Sequence, residues 1–363
     1  MAVRTTGPYV TGWSALSPFG VGRQSFVNGL CAGESGRLPD ADPSGPPPSG
    51  YPVADFEPAR LLAGKSIRTL DRMTLMVITT SGMLLDQDTV AAAPDRGSVG
   101  LVLGTSTGSL ASITDFLKDT FVRDKPYFVD PAAFPNTVMN GPAGRTAIWH
   151  GLRGLNSTIS GGHATGLDAL RYAARMIRRG YAETLVVGSV EELSAPVGWA
   201  ADELRAGAAT PLGEGCVMFL LRGGEGAGEP LAELVDFEFG TVAWDADVDT
   251  RAARLADTIR ALLTRTGIDP AKLWLVSLAQ SGDGELDAAE QSGVDRGLGT
   301  AGAGVRRVAV SQQVGNSFSA LGGFQVAGVL AMAEREPDGA NRPSLVTTLG
   351  ADGAVGCAVI RTC

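Results

Sequence analysis

The stretch at residues 155–179 constrains the fold more than any other part of the chain. A short β-type run at residues 157–160 stops at two glycines, and a helix-forming segment follows over residues 164–179. Apolar residues recur in that segment at helical spacing, arginines fill its last turns, and Gly180 stands where a C-cap glycine belongs. The sequence therefore predicts a strand, a sharp turn and a buried helix.

The residue on the predicted turn is His163. A side chain at this place points at a helix N-terminus, where backbone N–H groups stabilise negative charge. Such a turn suits a nucleophile that has an oxyanion beside it. Because histidine stands there, the chemistry of the turn has to be judged together with the other motifs.

Composition limits the class of protein. The chain has 363 residues, of which 44% are hydrophobic and 49 are glycine, which is typical of one large or two ordinary globular domains. Its net charge of −9 argues against a nucleic-acid partner. The sequence shows no signal-peptide layout, no membrane-spanning run and no cysteine spacing for metal or disulfides. We therefore expect a cytoplasmic protein with reduced cysteines and no membrane partner.

Apolar strands alternate with amphipathic helices along the chain. Residues 99–104 and 184–188 are near-continuous apolar runs, as expected of strands buried on both faces. The second part repeats the scheme, with strands predicted at 232–239, 273–278, 305–310, 344–349 and 355–360 and helices at 250–266 and 318–335. The pattern predicts an α/β fold with mixed or parallel sheets. A Gly-rich segment at 224–230 suggests two halves, residues 1–225 and 226–363.

The order and spacing of these motifs resemble the β-ketoacyl synthases, the condensing enzymes of fatty acid and polyketide synthesis. The matching motifs are Thr158-Ile159-Ser160 and Gly166-Leu167-Asp168-Ala169 around the turn, the segment that begins at Phe134-Pro135-Asn136, and Gly213-Glu214-Gly215. The resemblance runs from Tyr9 to Ile360. It implies the thiolase fold, with five layers (α-β-α-β-α) and two similar βαβ halves.

The same resemblance identifies the catalytic positions. In that family a Cys holds the acyl chain, and two His and a Lys support decarboxylation of the extender unit. The Cys position corresponds to His163, the first His to Gln280, the Lys to Ser311 and the second His to Asn316. The Phe gate of the family's terminal Gly-Phe-Gly-Gly loop corresponds to Ala351. The catalytic groups are therefore all replaced, and no cofactor is implied.

A ketosynthase scaffold without its chemistry is typical of the chain length factor, the ketosynthase β subunit of type II polyketide synthases. The resemblance implies a heterodimer with a catalytic ketosynthase subunit, and an acyl carrier protein whose phosphopantetheine bears the growing chain. Most members from aromatic pathways carry Gln where this chain has His163, and the loop at 205–211 is short here. These departures favour a subunit of a reducing or polyene system.

The resemblance also locates the interface and the acyl tunnel. The interface is expected at residues 130–140 and at the strand before the turn, through strand pairing across a two-fold axis. Tunnel depth is expected to be set by the helix that follows residues 105–108. The predicted tunnel residues are Ser109, Ser112, Phe116 and Phe134, of which the serines leave space and Phe116 forms a floor.

Two other functions remain open from the sequence. The first is a divergent acyltransferase or hydrolase that uses His163 as a base, against the interpretation of His163 as a filler of the former acyl site. The second is a homodimeric acyl-chain-binding protein without a catalytic partner. The other histidine, His150, is interpreted as structural.

Overall fold

The computed structural model describes residues 7–39, 50–62, 66–86, 96–204, 210–224 and 229–363. The strands are β1 (Tyr9–Ser17), β2 (Gly20–Val21), β3 (Gly50–Tyr51), β4 (Gly100–Gly104), β5 (Asn156–Ile159), β6 (Thr184–Glu191), β7 (Leu212–Gly213), β8 (Gly215–Arg222), β9 (Ala232–Thr241), β10 (Leu275–Leu278), β11 (Arg306–Ala309), β12 (Pro343–Leu349) and β13 (Ala354–Thr362).

The α-helices of the same part of the chain are α1 (Arg23–Cys31), α2 (Pro58–Leu61), α3 (Arg72–Leu85), α4 (Leu110–Val122), α5 (Gly141–His150), α6 (Thr165–Arg178), α7 (Ala195–Leu204), α8 (Val248–Thr266), α9 (Gly284–Leu298), α10 (Ser311–Val314) and α11 (Ser319–Arg335). Among these helices, none is both long enough and apolar enough to cross a membrane.

Two sets of five strands have the same order and the same directions. The first set runs β1-β8-β6-β4-β5 and the second runs β9-β13-β12-β10-β11. In each set the first two pairings are antiparallel and the last two are parallel. We call the two sets the first and the second sheet, and they join where Tyr9 and Val10 of β1 pair with β9. The predicted pair of similar halves is therefore confirmed.

Three hydrophobic cores define five layers. The central core lies between the two sheets and contains Leu167 and Leu170 of α6 together with Phe324 and Val326 of α11. A second core lies under α3 and α5 on the outer face of the first sheet, and a third lies under α8 and α9 on the second sheet. Residues 319–331 of α11 are all buried, which explains why its sequence is rich in small and apolar residues, whereas α6 buries one face and exposes Arg175 and Arg178. The predicted five-layer thiolase fold is thus confirmed.

The Gly213-Glu214-Gly215 motif anchors the start of β8. Glu214 is fully buried and accepts hydrogen bonds from Arg72 Nε at 2.7 Å and Arg72 Nη2 at 2.6 Å. It also accepts from the backbone N–H groups of Val53 at 2.9 Å and Leu193 at 3.1 Å. One carboxylate therefore fixes three separate segments of the first half.

Some sequence predictions are corrected by the structure. The sequence around Gly12 and Trp13 indicates a first strand that ends in a turn there, but β1 extends to Ser17 and turns back into β2. The family resemblance treats residues 147–154 as the run that feeds the turn strand, but residues 147–150 end α5. There His150 Nε2 lies 2.9 Å from the carbonyl oxygen of Ile78. Helix α9 was not predicted, although Asp283 accepts from the N–H groups of Glu285 and Leu286 as its N-cap.

Two predicted segments lie partly outside the described residues. They are the short loop at 205–211 and the Gly-rich segment at 224–230, of which 205–209 and 225–228 are not described. The division of the chain between residues 225 and 226 therefore stays a prediction. The two repeated strand sets, at 9–222 and 232–362, lie on either side of it.

Replacing Glu214 by Ala should lower the free energy of unfolding by about 2–4 kcal/mol, because Arg72 and two backbone N–H groups lose a buried acceptor. Urea unfolding of the purified protein measures the effect. The control is Glu57→Ala, since Glu57 pairs with Arg60 at 3.3 Å on the surface. That variant should change stability by less than about 0.5 kcal/mol. Equal effects of the two substitutions would contradict the anchoring role.

Candidate functional site

A cavity of about 800 Å³ lies beside His163, where the N-termini of α6 and α11 meet. Both halves of the chain line it. Its wall is largely apolar, with Leu110, Leu193, Val197 and Leu286 among the lining residues. Such a cavity is large enough for a small-molecule group or part of an acyl chain.

The turn before α6 has the geometry that the sequence predicts. Strand β5 ends at Ile159, Gly162 adopts φ +67°, and a single 3₁₀ turn leads into α6. The N–H of Gly161 donates to Thr165 Oγ1 at 2.8 Å, which ties the turn to the helix. We call residues 160–164 the elbow.

His163 is half-buried at the elbow and lines the cavity. Its backbone N–H donates to Asp352 Oδ2 at 3.2 Å. Its ring packs against Phe318, with the ring centroids 5.3 Å apart. Asp352 and Phe318 belong to the second half of the chain, so the surroundings of His163 are built by both halves.

The positions that correspond to the other catalytic groups lie close to one another. Ser311 Oγ donates to the carbonyl oxygen of Gln280 at 2.8 Å, and Asn316 Nδ2 donates to that of Ser281 at 3.1 Å. His163, Asn316 and the gate position Ala351 line the cavity, whereas Gln280 and Ser311 are not among its lining residues. The assignment of His163, Gln280, Ser311 and Asn316 to lost catalytic groups, and of Ala351 to the gate, stays a prediction.

Two residues of the site hold left-handed backbones that are uncommon for non-glycine residues, Gln280 with φ +40° and Phe318 with φ +43°. Hydrogen bonds from their backbone N–H groups hold both residues in this conformation. Glu290 accepts from the N–H of Gln280 at 2.9 Å, and Asn316 Oδ1 accepts from that of Phe318 at 3.1 Å. Backbones of this kind persist where the surrounding structure over-determines them.

Buried carboxyl groups beside the cavity were missed by the sequence reasoning. Glu191 is 5% exposed, and it accepts from the N–H of Ser106 at 2.5 Å, from Ser106 Oγ at 2.6 Å and from Ser319 Oγ. Burial raises the pKa of Glu191 to about 7, while the hydrogen bonds from Ser106 and Ser319 act in the opposite direction. Glu191 thereby links the end of β6, the loop after β4 and the start of α11.

The carboxyl groups of Glu192 and Glu290 are also buried and accept hydrogen bonds. Glu192 accepts from Ser109 Oγ at 3.0 Å and the N–H of Ala111 at 3.3 Å, and Glu290 accepts from Thr347 Oγ1 at 2.7 Å. Burial raises the pKa of both groups to about 7. A pair of adjacent acidic residues at the end of an apolar strand was the only signal in the sequence for Glu191 and Glu192.

The predicted tunnel residues lie beside α4 and are not among the residues that line the cavity. Ser109 is the N-cap of α4, where its Oγ accepts from the N–H of Ser112 at 3.2 Å. Ser109 Oγ also donates to Ser112 Oγ at 2.9 Å, so these two side chains lie together at the start of the helix. The Phe116 ring contacts that of Phe134, with centroids 5.9 Å apart. Their part in a tunnel stays a prediction.

Comparison with known proteins finds relatives that agree on one family, the β-ketoacyl synthases. Residues 9–225 match the family model of the β-ketoacyl synthase N-terminal domain. The 3-oxoacyl-[acyl-carrier-protein] synthase 2 of Vibrio harveyi is 33% identical over 196 residues, which are 53% of this chain and 47% of that protein. The match thus spans about half the length of that relative.

Other relatives are similar over nearly the whole chain. The putative polyketide β-ketoacyl synthase 2 of Streptomyces halstedii is 29% identical over 358 residues, covering 90% of this chain and 85% of that one. A chain of the solved structure titled the ishigamide ketosynthase/chain length factor is 34% identical, with a TM-score of 0.88. That likeness covers 98% of this chain and 99% of that chain.

Replacing Glu191 by Gln should flatten the dependence of stability on pH. The folded-state pKa of about 7 exceeds the ordinary 4.5, so the unfolded chain loses this proton first. The contribution of Glu191 to stability is therefore complete below pH 4.5 and is lost as the pH rises through 7. At full effect its slope is about 1.4 kcal/mol per pH unit.

Urea unfolding at pH 5, 6, 7 and 8 measures the slope. The matched control is Glu285→Gln, since Glu285 lines the same cavity but is exposed. The control should keep the parent's slope. A Glu191→Gln slope identical to the parent's would contradict the pKa of about 7.

Proposed function

Because the chain belongs to the β-ketoacyl synthase family, we propose that it is a non-catalytic chain length factor. It pairs with a catalytic ketosynthase subunit and shapes the tunnel that receives the growing acyl chain. One observation carries the proposal. Among the described residues that line the cavity, there is neither a cysteine nor a lysine, and His163 supplies the one imidazole. The likeness to a chain of the ishigamide ketosynthase/chain length factor supports it.

The missing groups are those that condensation requires. A thiolate is needed to hold the acyl chain, and hydrogen-bond donors are needed where the enolate of the extender develops. Asn316 uses its amide for Ser281 and Phe318, and Gln280 Oε1 accepts from Gln312 Nε2 at 2.9 Å. These amides are engaged within the fold, so they do not replace an imidazole pair.

An exposed apolar patch supports the heterodimer. We call residues 117–148 the apolar segment. It contains nine of the fourteen large hydrophobic side chains that are exposed in the described part of the chain, among them Phe121 at 84% and Ile148 at 84%. Concentrations of this kind mark protein interaction sites. The predicted interface region at residues 130–140 lies within the segment.

The sheet edge beside the apolar segment also fits strand pairing. Strand β5 lies at the end of the first strand set, and its residues are only partly buried. It carries no charged residue, whereas β11 at the opposite edge carries Arg306 and Arg307. Charged residues protect an edge against pairing, and their absence leaves β5 open to another strand. A partner strand at β5 would continue the sheet into a second subunit.

The finer assignments rest on the family resemblance and on these contacts. The substrate is the acyl chain that the partner receives from a phosphopantetheine-bearing acyl carrier protein. His163 and the predicted short loop before β7 favour a reducing or polyene pathway. The complex acts in the cytoplasm, where the carrier protein and the ketosynthase work together.

The function is tested by co-expression with a candidate ketosynthase subunit that has an intact Cys-His-His site. The two should co-purify, and the pair should elongate acyl groups from malonyl-loaded carrier protein. This chain alone should form no product, and His163→Cys alone should not restore it, because decarboxylation still lacks its donors. Elongation by the isolated chain would overturn the proposal, and thioester hydrolysis lost in His163→Ala would favour a hydrolase.

The same experiment separates a heterodimer from a homodimer. Ile148→Asp should weaken co-purification and elongation together by at least about tenfold, because a buried unpaired charge in an interface costs several kcal/mol. Ala261→Asp is the control, since Ala261 is exposed on α8 of the second half. A stable homodimer that does not bind the ketosynthase would support the homodimeric acyl-chain-binding protein instead.

Two substitutions on α4 should change product length in opposite directions. Ser112→Phe should shorten the products, because an added aromatic ring cannot be accommodated in a filled channel without strain. Phe116→Ala should lengthen them by removing the floor. Mass spectrometry of products from the co-expressed pair measures both. An unchanged length distribution in both variants, with the heterodimer intact, would place the length-setting surface elsewhere.

A further inference from the structure

We propose that Asp352 is a built-in anion that fills the oxyanion site of the elbow. Position 163 is then closed to acyl transfer whatever side chain stands there. The inference rests on the proposed function in one respect, that the elbow is not used for catalysis. It concerns this chain alone and is independent of the ketosynthase partner.

The contact itself is a carboxylate held between two loops. Asp352 Oδ2 accepts from the backbone N–H of His163 at 3.2 Å. Asp352 Oδ1 accepts from the backbone N–H of Ala354 at 3.1 Å. Each carboxylate oxygen therefore has its own backbone donor, and one of these donors is the N–H of the elbow residue.

That N–H is the natural donor for an oxyanion. It lies in the turn that leads into α6, and the first N–H groups of a helix have no carbonyl partner within the helix. Helix N-termini stabilise negative charge for this reason. If residue 163 attacked a thioester, the charge on the carbonyl oxygen would develop beside this donor. In this structure that N–H already donates to Asp352 Oδ2.

The carboxylate also occupies the space. A Cβ placed on Gly162 would lie 1.5 Å from Asp352 Oδ2, and one placed on Gly350 would lie 2.1 Å from Asp352 Oδ1. The carboxylate thus lies directly against the backbone of both loops. A substrate carbonyl cannot reach the elbow N–H without displacing it.

The turn that carries Asp352 is held in place. The N–H of Gly353 donates to the Gly350 carbonyl at 3.0 Å, and the buried Arg251 donates to the same carbonyl from Nη1 at 3.1 Å. Asp352 itself is exposed, so it can be replaced without opening the core. In the family's Gly-Phe-Gly-Gly loop the corresponding residue is glycine, which has no side chain to reach the elbow.

The test places a thiol at the elbow and then removes the carboxylate. The variants are His163→Cys and His163→Cys/Asp352→Gly in the full chain. The acyl donor is S-octanoyl-N-acetylcysteamine: the new thiolate forms a bond to the carbonyl carbon, the bond to N-acetylcysteamine breaks, and that thiolate leaves with a proton from water. Acylation of this chain is followed by intact mass. The parent chain gives the background from the exposed Cys31 and Cys363.

The double variant should be acylated about 100-fold faster than His163→Cys, the effect expected of one oxyanion-hole donor. Alkylation by iodoacetamide needs no oxyanion and should differ by less than about tenfold, the part due to a lower thiol pKa. The control is His163→Cys/Glu285→Gln, which removes a different cavity carboxylate and should match His163→Cys.

A second variant separates the effect of the carboxylate charge from any effect of Asp352→Gly on folding. Asp352→Asn in the His163→Cys background removes the charge but keeps the shape, and it should lower the thiol pKa in an alkylation–pH profile by about 1. Equal acylation in the single and double variants would overturn the proposal. So would an elbow thiol that is inaccessible to iodoacetamide in every variant. Neither result would affect pairing with the ketosynthase.

Discussion

The close approach of the two central helices is the contact on which the rest of the structure depends. A Cβ on Gly166 of α6 would lie 2.4 Å from the carbonyl oxygen of Ser319, and one on Gly322 of α11 would lie 3.0 Å from the backbone nitrogen of Leu167 in α6. Neither helix can move outward without losing its burial between the two sheets. Their N-termini are therefore held at one cavity, which receives the elbow from the first half and Asn316 and Phe318 from the second. The site is a product of the duplication, and neither half contains it alone.

Beside that cavity, the positions predicted to correspond to catalytic groups are joined by hydrogen bonds inside the protein. Asn316 is 1% exposed, and its side chain both donates and accepts, while the buried Ser311 donates to the backbone of Gln280. Buried polar groups are costly unless they are paired, and these are paired within the fold. A catalytic group must instead keep its reactive atom available to substrate. The amides and hydroxyl present here hold the left-handed loops at Gln280 and Phe318, so they stabilise the backbone around the cavity.

The sequence predicted the parts of this arrangement that depend on local pattern. The elbow, its helix and the buried strands follow from glycine placement and from apolar periodicity, and the structure has them within a few residues of the predicted bounds.

Contacts between distant residues were not predictable in this way. The hydrogen bond from His163 to Asp352 joins positions 189 residues apart, and no periodicity indicates it. Burial of Glu191 and Glu192 also ran against the expectation that acidic residues are exposed. The N-cap role of Ser109 was not evident either, because a serine at the start of a helix is as well suited to capping as to lining a face.

The elbow is held in place because its helix is part of the core. Leu167 and Leu170 are fully buried, and truncating either to Ala should cost about 2–5 kcal/mol. His163, in contrast, is half-buried at the edge of a cavity, so its side chain can change at little cost in packing. Packing therefore constrains the strand, the turn and the helix, while the residue at the tip is constrained by chemistry alone. Under the proposed function the partner subunit supplies the thiolate, so that second constraint is absent here, and the elbow remains as the element that joins β5, at the unprotected edge of the sheet, to the central layer.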